Sequence, residues 1–446
     1  MKKGFYTIMA AQFFSSLADN ALLIAAIGLL LQVDAPAWMT PLLKLSFVLS
    51  YVVLAAFVGA FADAFPKGRV MLLTNGIKII GCLMMLYGSH PLLAYGIVGF
   101  GAAAYSPAKY GILTELLPAE KLVAANGWIE GLTVISIIFG TALGGALLSA
   151  NVSSFLLGYG TYININAPAE MAMVVIAGLY LLAGLFNAYI PNTGAVYSRQ
   201  ARNPIHLIRD FSHCFVTLWR DRLGQISLSV TTLFWGAGAT LQFIVLKWAE
   251  ESLDMNLSRG AVLQAVVAIG VAIGATYAAF SVPLKRSLSV LPMGMAMGGV
   301  VMLMAFFTKT TFPDYTLHLW GVVAPLYLVI AYFFLMIVGG LAGYFVVPMN
   351  ALLQHRGHVL LSAGHSIAVQ NFNENISVLA MLCLYALLVR FDVPVGVIAI
   401  LFGLFVSASM WLVMRWHAAN QKEYDSLHLI GETKRVTAEG VRKCAF

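Results

Sequence analysis

Apolar residues run through this chain in long stretches, separated by short polar or Pro/Gly breaks. A helix needs about 20 mostly apolar residues to span a bilayer. Reading between the breaks predicts twelve spans: 5–32, 42–64, 70–89, 92–113, 123–150, 169–190, 222–249, 259–282, 289–308, 319–347, 363–390 and 394–417. The hairpins at His90-Pro91 and Asp392-Val393-Pro394 are the tightest breaks. One long polar stretch divides six spans from six. The predicted fold is an all-α membrane protein of twelve transmembrane helices in two pseudo-symmetric six-helix halves. Residues 1–190 form the N-terminal half, 191–221 a cytoplasmic linker and 222–417 the C-terminal half. Residues 418–446 form a basic tail, read as disordered or as a peripheral helix.

Composition agrees. The 446 residues are 60% hydrophobic and 10% charged, with mean hydropathy +0.86, well outside soluble globular usage. Lys plus Arg exceed Asp plus Glu by 26 − 19 = 7. In a soluble protein that excess would suggest nucleic acid; here the basic residues gather in loops and set orientation. With the N-terminus inside, 20 of the 26 fall in cytoplasmic loops and ends, leaving Lys44, Lys78, Lys247, Arg259, Lys309 and Arg390. An even number of spans then puts both termini in the cytoplasm. Trp38, Trp248 and Trp320 fall near the opposite ends of spans, as an aromatic belt would. Lys2-Lys3 before an apolar stretch suggests a signal peptide, but the stretch is too long and carries Asp19, so an uncleaved first helix is expected.

The few polar residues inside spans carry the chemistry. Asp19-Asn20 lies near the centre of the first span. A carboxylate at that depth costs roughly 2.5–3.5 kcal/mol or more, so it must face a partner or a wet cavity. Lys78 lies mid-span in the third span, and Lys109 near the end of the fourth. Asn126 and Glu130 in the fifth span and Gln370 and Glu374 in the eleventh share the i,i+4 spacing that puts an amide and an acid on one face. Gln370, Asn371, Asn373, Glu374 and Asn375 are too polar for simple packing. Asp19, Glu130 and Glu374 nearly balance Lys78 and Lys109, which favours internal ion pairs that can act as a gate. The halves also echo each other in Gly101…Pro107…Lys109 and Gly343…Pro348…Asn350. Gly140/Gly144, Gly270/Gly274, Gly294/Gly298 and Gly339/Gly343 mark close helix packing.

No catalytic, metal or cofactor motif stands out. Gly-x-x-x-x-Gly-Lys-Ser/Thr and Gly-x-Ser-x-Gly are absent. The four cysteines show no metal or redox spacing, and Cys82 and Cys383 read as small core residues. His206, His213, His355 and His358 lack metal-ligand company and read as solvated loop residues. A membrane-embedded lipid enzyme would need a His–acid dyad, for which His365 at a helix start is the sole candidate.

Gly59-Ala-Phe-Ala-Asp63 followed by Pro66-Lys67-Gly68-Arg69 resembles the loop 2–3 signature of the major facilitator superfamily, with two extra residues before the basic part. Asp63 would pair with Lys67 or Arg69 in one transport state. Five stretches, at 14–23, 103–113, 234–238, 346–354 and 367–375, resemble the bacterial lysophospholipid transporter family. The run Tyr105-Ser-Pro-Ala-Lys-Tyr-Gly111 is the most specific, although multidomain acyltransferases carrying such a module share it.

The resemblance implies a monomeric inner-membrane flippase that moves lysophosphatidylethanolamine and lysophosphatidylglycerol from the outer to the inner leaflet. A cytoplasmic acyltransferase/acyl-carrier-protein synthetase would then reacylate them. It places the family's helix 1 Asp-Asn pair on Asp19 and Asn20, its helix 4 lysine on Lys109 and its helix 11 acid on Glu374. Gln242 stands where an arginine partner for the helix 1 acid is expected. Asp19 would then be satisfied by Asn20, by a lysine such as Lys109, by water or by the substrate amine. The expected substrate-binding set is Asp19, Asn20, Lys109, Glu130, Gln242, Asn350, Gln370, Asn371 and Glu374. The expected gating set is Asp63, Lys67, Arg69 and Lys78. The alternative is a proton-coupled exporter of drugs or small metabolites with the same fold.

Overall fold

A computed structural model describes residues 3–35, 39–160, 165, 167–195, 203–255, 257–311, 315–319 and 322–431. The chain is a bundle of long helices: α1 (Lys3–Gln32), α2 (Met39–Val53), α3 (Ala55–Ala64), α4 (Lys67–Leu86), α5 (Pro91–Leu116), α6 (Leu122–Leu148), α7 (Ala150–Gly160) and α8 (Pro168–Ala188). Next come α9 (Pro204–Arg220), α10 (Gly224–Leu253), α11 (Leu257–Ser281), α12 (Leu291–Met304), α13 (Leu326–Leu360), α14 (Ala363–Arg390) and α15 (Val395–Glu423). Before α13, β1 (Thr316–Leu319) and β2 (Val322–Pro325) form a small antiparallel hairpin.

Among the described residues, ten helices are long and apolar enough to cross a membrane, and α2 with α3 makes an eleventh span bent by 66°. The predicted 42–64 span is therefore broken at Leu54. Helix α5 has 26 residues, but Gly, Tyr, Ser and Pro dilute its apolar character; sixteen of its residues are buried against neighbours. Asp392, at φ 52°, and Gly88, at φ 83°, turn the two tight hairpins read from the sequence.

Several boundaries differ from expectation. The predicted 319–347 span begins with the hairpin, and its helix runs from Leu326 through Pro348 to Leu360. A proline inside a spanning helix is tolerated where neighbouring helices satisfy the freed carbonyl. His355 and His358 therefore lie in a helix, and His355 is buried. The 289–308 span shortens to α12, led in by a 3-10 turn at Leu284–Val290. The polar 191–221 stretch contains the amphipathic helix α9. Trp248 is fully buried and donates Nε1–H to the Phe307 carbonyl at 3.2 Å, so it is no belt residue. Cys82 is buried but Cys383 is exposed. Trp38, Trp320 and the tail residues Lys434, Arg435, Arg442 and Lys443 lie outside the described residues.

Small residues set the packing. Helix α6 lies on α1 where Gly140 meets the Leu17 carbonyl and Gly144 the Ala21 carbonyl. Helices α11 and α13 touch backbone to backbone: a Cβ on Gly270 or Gly274 would collide with Met336–Gly340, and one on Gly339 or Gly343 with Val267–Ala275. Such contact lets dispersion hold helices together where lipid offers no hydrophobic drive.

The starts of α1, α4, α10 and α14 and the ends of α3, α5, α8, α13 and α15 meet at one end of the bundle, called here the junction face. Thr193 donates to Glu115, Arg222 to the Asn420 carbonyl and Arg356 to Asp221.

Candidate functional site

Two polar centres lie inside the apolar bundle. In the first, Lys78 Nζ meets Asp19 Oδ2 at 2.8 Å and donates to Ser15 Oγ at 3.0 Å. Tyr180 on α8 donates to Asp19 Oδ1 at 2.7 Å, and Ser15 donates to Asn75 Oδ1 at 2.9 Å. The Tyr105 ring of α5 lies 4.9 Å from the Lys78 ammonium. The two charges are buried unequally: the Lys78 side chain is 1% exposed, that of Asp19 21%. The lysine is locked in protein, whereas one side of the carboxylate stays open.

This centre corrects the expectation for Asp19. Its partners are Lys78 and Tyr180, not Asn20 or Lys109. Asn20 donates to the Ser16 carbonyl one turn back on its own helix. Exposed Gln242 exchanges hydrogen bonds with Gln264 on α11 and takes no part in the centre. Lys78 belongs here and not with the α3–α4 turn. The balance of buried acids and lysines predicts an internal ion pair; the sequence leaves open which acid Lys78 meets, and it is Asp19 in α1.

The second centre joins helices before α9 to helices after it. Asn126 and Gln354 form a reciprocal amide pair at 2.9 and 2.8 Å. Gln370 Nε2 donates to Glu374 at 2.7 Å and to Asn350 Oδ1 at 3.1 Å; Asn350 in turn approaches Glu130 at 3.5 Å. Asn371 donates to Ser106 Oγ at 2.9 Å. Asn126, Gln354, Asn350, Gln370 and Glu374 are buried. Adjacent residues of α5 thus serve both centres, Tyr105 under Lys78 and Ser106 on Asn371. Lys109, one turn on, is partly buried with its ammonium 4.1 Å from the Tyr110 ring. Of this centre, Glu130, Asn350, Gln370, Asn371 and Glu374 are legible in the sequence as site residues, whereas Gln354 and Ser106 are not. Ser106 lies inside α5 among small residues, and Gln354 lies in the part of α13 beyond the predicted end of its span at 347.

The α3–α4 turn makes the third element. Asp63 pairs with Lys67 at 2.5 Å, accepts the Gly364 N–H at 3.0 Å and lies 3.0 Å from His365 Nδ1. Lys67 also lies 3.7 Å from Glu115. A Cβ on Gly59 would press on His365 and Gly364, and one on Gly364 on Asp63. The Gly59–Asp63 spacing therefore seats α3 on the start of α14 and uses Asp63 to cap it, at the favourable positive end of a helix dipole. Arg69 is exposed and stands outside this cluster. Among the described residues no group of three or more His, Cys, Asp or Glu could hold a metal.

The arrangement is a bundle with an accessible carboxylate at its centre and a hydrogen-bonded seal at the junction face. Comparison with known proteins agrees with that architecture. A family model described as Major Facilitator Superfamily matches residues 8–381. Lysophospholipid transporters LplT of Yersinia enterocolitica and Yersinia pestis are each 40% identical over 396 residues, covering 89% of this chain and 89% of theirs. Among solved structures, an E. coli fucose:proton symporter superposes with TM-score 0.68 at 12% identity, covering 93% of this chain and 98% of that one. The human organic anion transporter MFSD10 gives 0.65 at 14% identity, covering 94% and 100%. A bacterial homologue of the iron transporter ferroportin, outward-facing, gives 0.66 at 12%, covering 94% and 100%. At such identities these structures speak for the fold alone.

Proposed function

The chain belongs to the major facilitator superfamily, and from that premise we propose that it transports lysophospholipids across the membrane it spans. The observation that carries this reading is 40% identity to lysophospholipid transporters over 89% of the chain. The finer reading is a flippase of the bacterial inner membrane. It carries lysophosphatidylethanolamine and lysophosphatidylglycerol from outer to inner leaflet as a monomer. A cytoplasmic acyltransferase/acyl-carrier-protein synthetase then reacylates them. The segments before and after α9 act as two pseudo-symmetric halves, with the junction face and both termini in the cytoplasm; the prevalence of basic residues there supports this orientation.

A lysolipid has a polar head and one apolar chain, so the path must offer both environments. Asp19 supplies the first contact for an ethanolamine ammonium, because its open side lets the amine share the carboxylate with Lys78. Lys109, not engaged by Asp19, faces the phosphate. As the junction face opens, the amides of Asn126, Asn350, Gln354, Gln370 and Asn371 exchange their mutual hydrogen bonds for bonds to the headgroup and water. The apolar remainder of the bundle accommodates the chain. Asp63, Lys67 and His365 fasten the closed state.

The test is flipping of fluorescent lysophosphatidylethanolamine in proteoliposomes, with and without imposed proton or sodium gradients. Movement of the lysolipid supports the reading. Gradient-driven uptake of a soluble compound with no lysolipid movement would replace it with the exporter reading.

A further inference from the structure

Helix α9 lies between the two sets of spans and is amphipathic in an unusual way. Asn203 caps it by accepting the Ile205 N–H at 3.0 Å, and Pro204 opens its first turn. Phe211, Cys214 and Leu218 are buried in a cluster with Ala55 and Val58 of α3 and Ala368 and Val369 of α14. Phe211 and Phe215 pack edge-on against Phe372, with ring centroids at 5.4 and 6.2 Å. The helix therefore straddles the meeting of α3 and α14.

Its apolar surface extends beyond what the protein covers. At about 100° per residue, Ile205, Ile208, Ser212, Val216 and Trp219 share a second sector beside the packed one. Ile205 is 73%, Ile208 50% and Val216 42% exposed. The adjoining sector is basic, with exposed His206, Arg209 and Arg220. A solvated helix would carry polar residues where these three aliphatic ones stand.

The position of α9 along its neighbour identifies what covers them. Trp219 Nε1 donates to Asn373 Oδ1 at 3.3 Å. Asn373 is ten residues after Ala363, the first residue of α14, and therefore about 15 Å along that helix at 1.5 Å per residue. Helix α9 thus packs along α3 and α14, both long and apolar enough to belong to membrane spans, and its exposed aliphatic sector flanks them with arginines along its edge.

We propose that α9 is an interfacial helix, with Ile205, Ile208 and Val216 inserted in the leaflet at the junction face. Arg209 and Arg220 grip the phosphates of anionic phospholipids in that leaflet. Apolar insertion plus basic residues is the combination that holds amphipathic helices at anionic membrane surfaces. Because α9 also packs on α3 and α14, the charge of that leaflet bears on how firmly those helices meet. The proposal requires that the bundle lie in a bilayer and does not depend on the substrate.

The test places a photoreactive benzoylphenylalanine singly at Ile205, Ile208 or Val216 of the full chain, and at His206 as a water-facing control. The protein is held in nanodiscs of mixed phosphatidylcholine and phosphatidylglycerol and irradiated, and adducts are identified by mass spectrometry. Lipid adducts are expected at the three aliphatic positions and not at His206. Phosphatidylglycerol should exceed its bulk share among them about fivefold, the order expected for one arginine at an anionic surface. That preference should fall to the bulk share in Arg209→Gln/Arg220→Gln. Absence of lipid adducts at all three positions, adducts to a second copy of the chain, or a bulk lipid ratio in the parent protein overturns the proposal.

Discussion

Removing either member of the Asp19–Lys78 pair should destabilise the protein, but by unequal amounts. Asp19→Asn leaves Lys78 at 1% exposure without a counter-charge, with Ser15 Oγ and the Tyr105 and Tyr180 rings near its ammonium. Breaking a buried pair in this way costs about 3–5 kcal/mol. Lys78→Met leaves Asp19 at 21% exposure and still accepting from Tyr180. Water can reach that carboxylate, so the loss is nearer the 1.5–3 kcal/mol of one charge-assisted hydrogen bond. Asp19→Asn should therefore be the worse single change by about 2 kcal/mol. The double variant should recover most of the loss, because a neutral, well-packed replacement for a buried pair is often close to neutral. Thermal unfolding of purified protein in one detergent ranks the four proteins. Lys78→Met proving at least as damaging as Asp19→Asn, or a double variant no better than the worse single, would refute the argument from unequal burial. In proteoliposomes Asp19→Asn should also slow lysophosphatidylethanolamine flipping about tenfold, the equivalent of one lost charge-assisted contact.

Asn126→Ala removes both bonds of the amide pair with Gln354 and should loosen the junction seal by about 2 kcal/mol; faster labelling of a Ser366→Cys reporter by a membrane-impermeant maleimide reads this. Gly274→Leu forces a side chain into the Gly340 backbone and should abolish monodisperse protein on size exclusion, whereas Gly299→Leu, with nothing within 4 Å of its Cβ, should leave the profile unchanged. Arg356→Lys cannot reproduce the two bonds to Asp221 at 3.1 and 2.6 Å and should lower the unfolding temperature, with Arg356→Ala lowering it further.

What the sequence revealed, and what it hid, follows from the range of each interaction. Apolar run length placed most spans because lipid demands it residue by residue. The break at Leu54 and the continuation of α13 through Pro348 depend on neighbouring helices, so run length carried no trace of them. Glu130, Gln370 and Glu374 were legible because a buried polar residue is conspicuous in an apolar helix. Their partners were less so: Lys78 is 59 residues from Asp19 and Tyr180 is 161. Pairing across such distances is settled by which helices touch. Of the partners open to Asp19 in the absence of an arginine at Gln242, a lysine is the one realised, but it is Lys78 of α4 and not Lys109 of α5.

How charge is distributed bears on how such a bundle can switch. Asp19–Lys78 and Asp63–Lys67 both close among helices before α9, while Arg222–Glu423 and Arg356–Asp221 close after it. The contacts described across the junction are mostly of another kind: paired amides, a serine hydroxyl and a long Glu130–Asn350 contact, with Asp63 on the Gly364 N–H and His365 of α14 as the charged exception. Separating a buried ion pair would cost several kcal/mol, whereas each neutral hydrogen bond contributes about 0.5–1.5 kcal/mol net because water replaces it. Three such bonds, with the two that end on the Glu130 and Asp63 carboxylates, total several kcal/mol, of the order of the roughly 5.5 kcal/mol that carries a two-state equilibrium from 1:99 to 99:1. On the proposed reading, a headgroup that replaces the amide bonds opens the junction face with its own contacts, while the ion pairs inside each set of helices stay closed. Replacing Asn126 and Gln354 by Asp and Lys would convert a cheap seal into a charged one. That double variant should stay folded yet hold the Ser366→Cys reporter protected even with lysolipid present. Labelling as fast as in the parent would show that the seal does not depend on its being neutral.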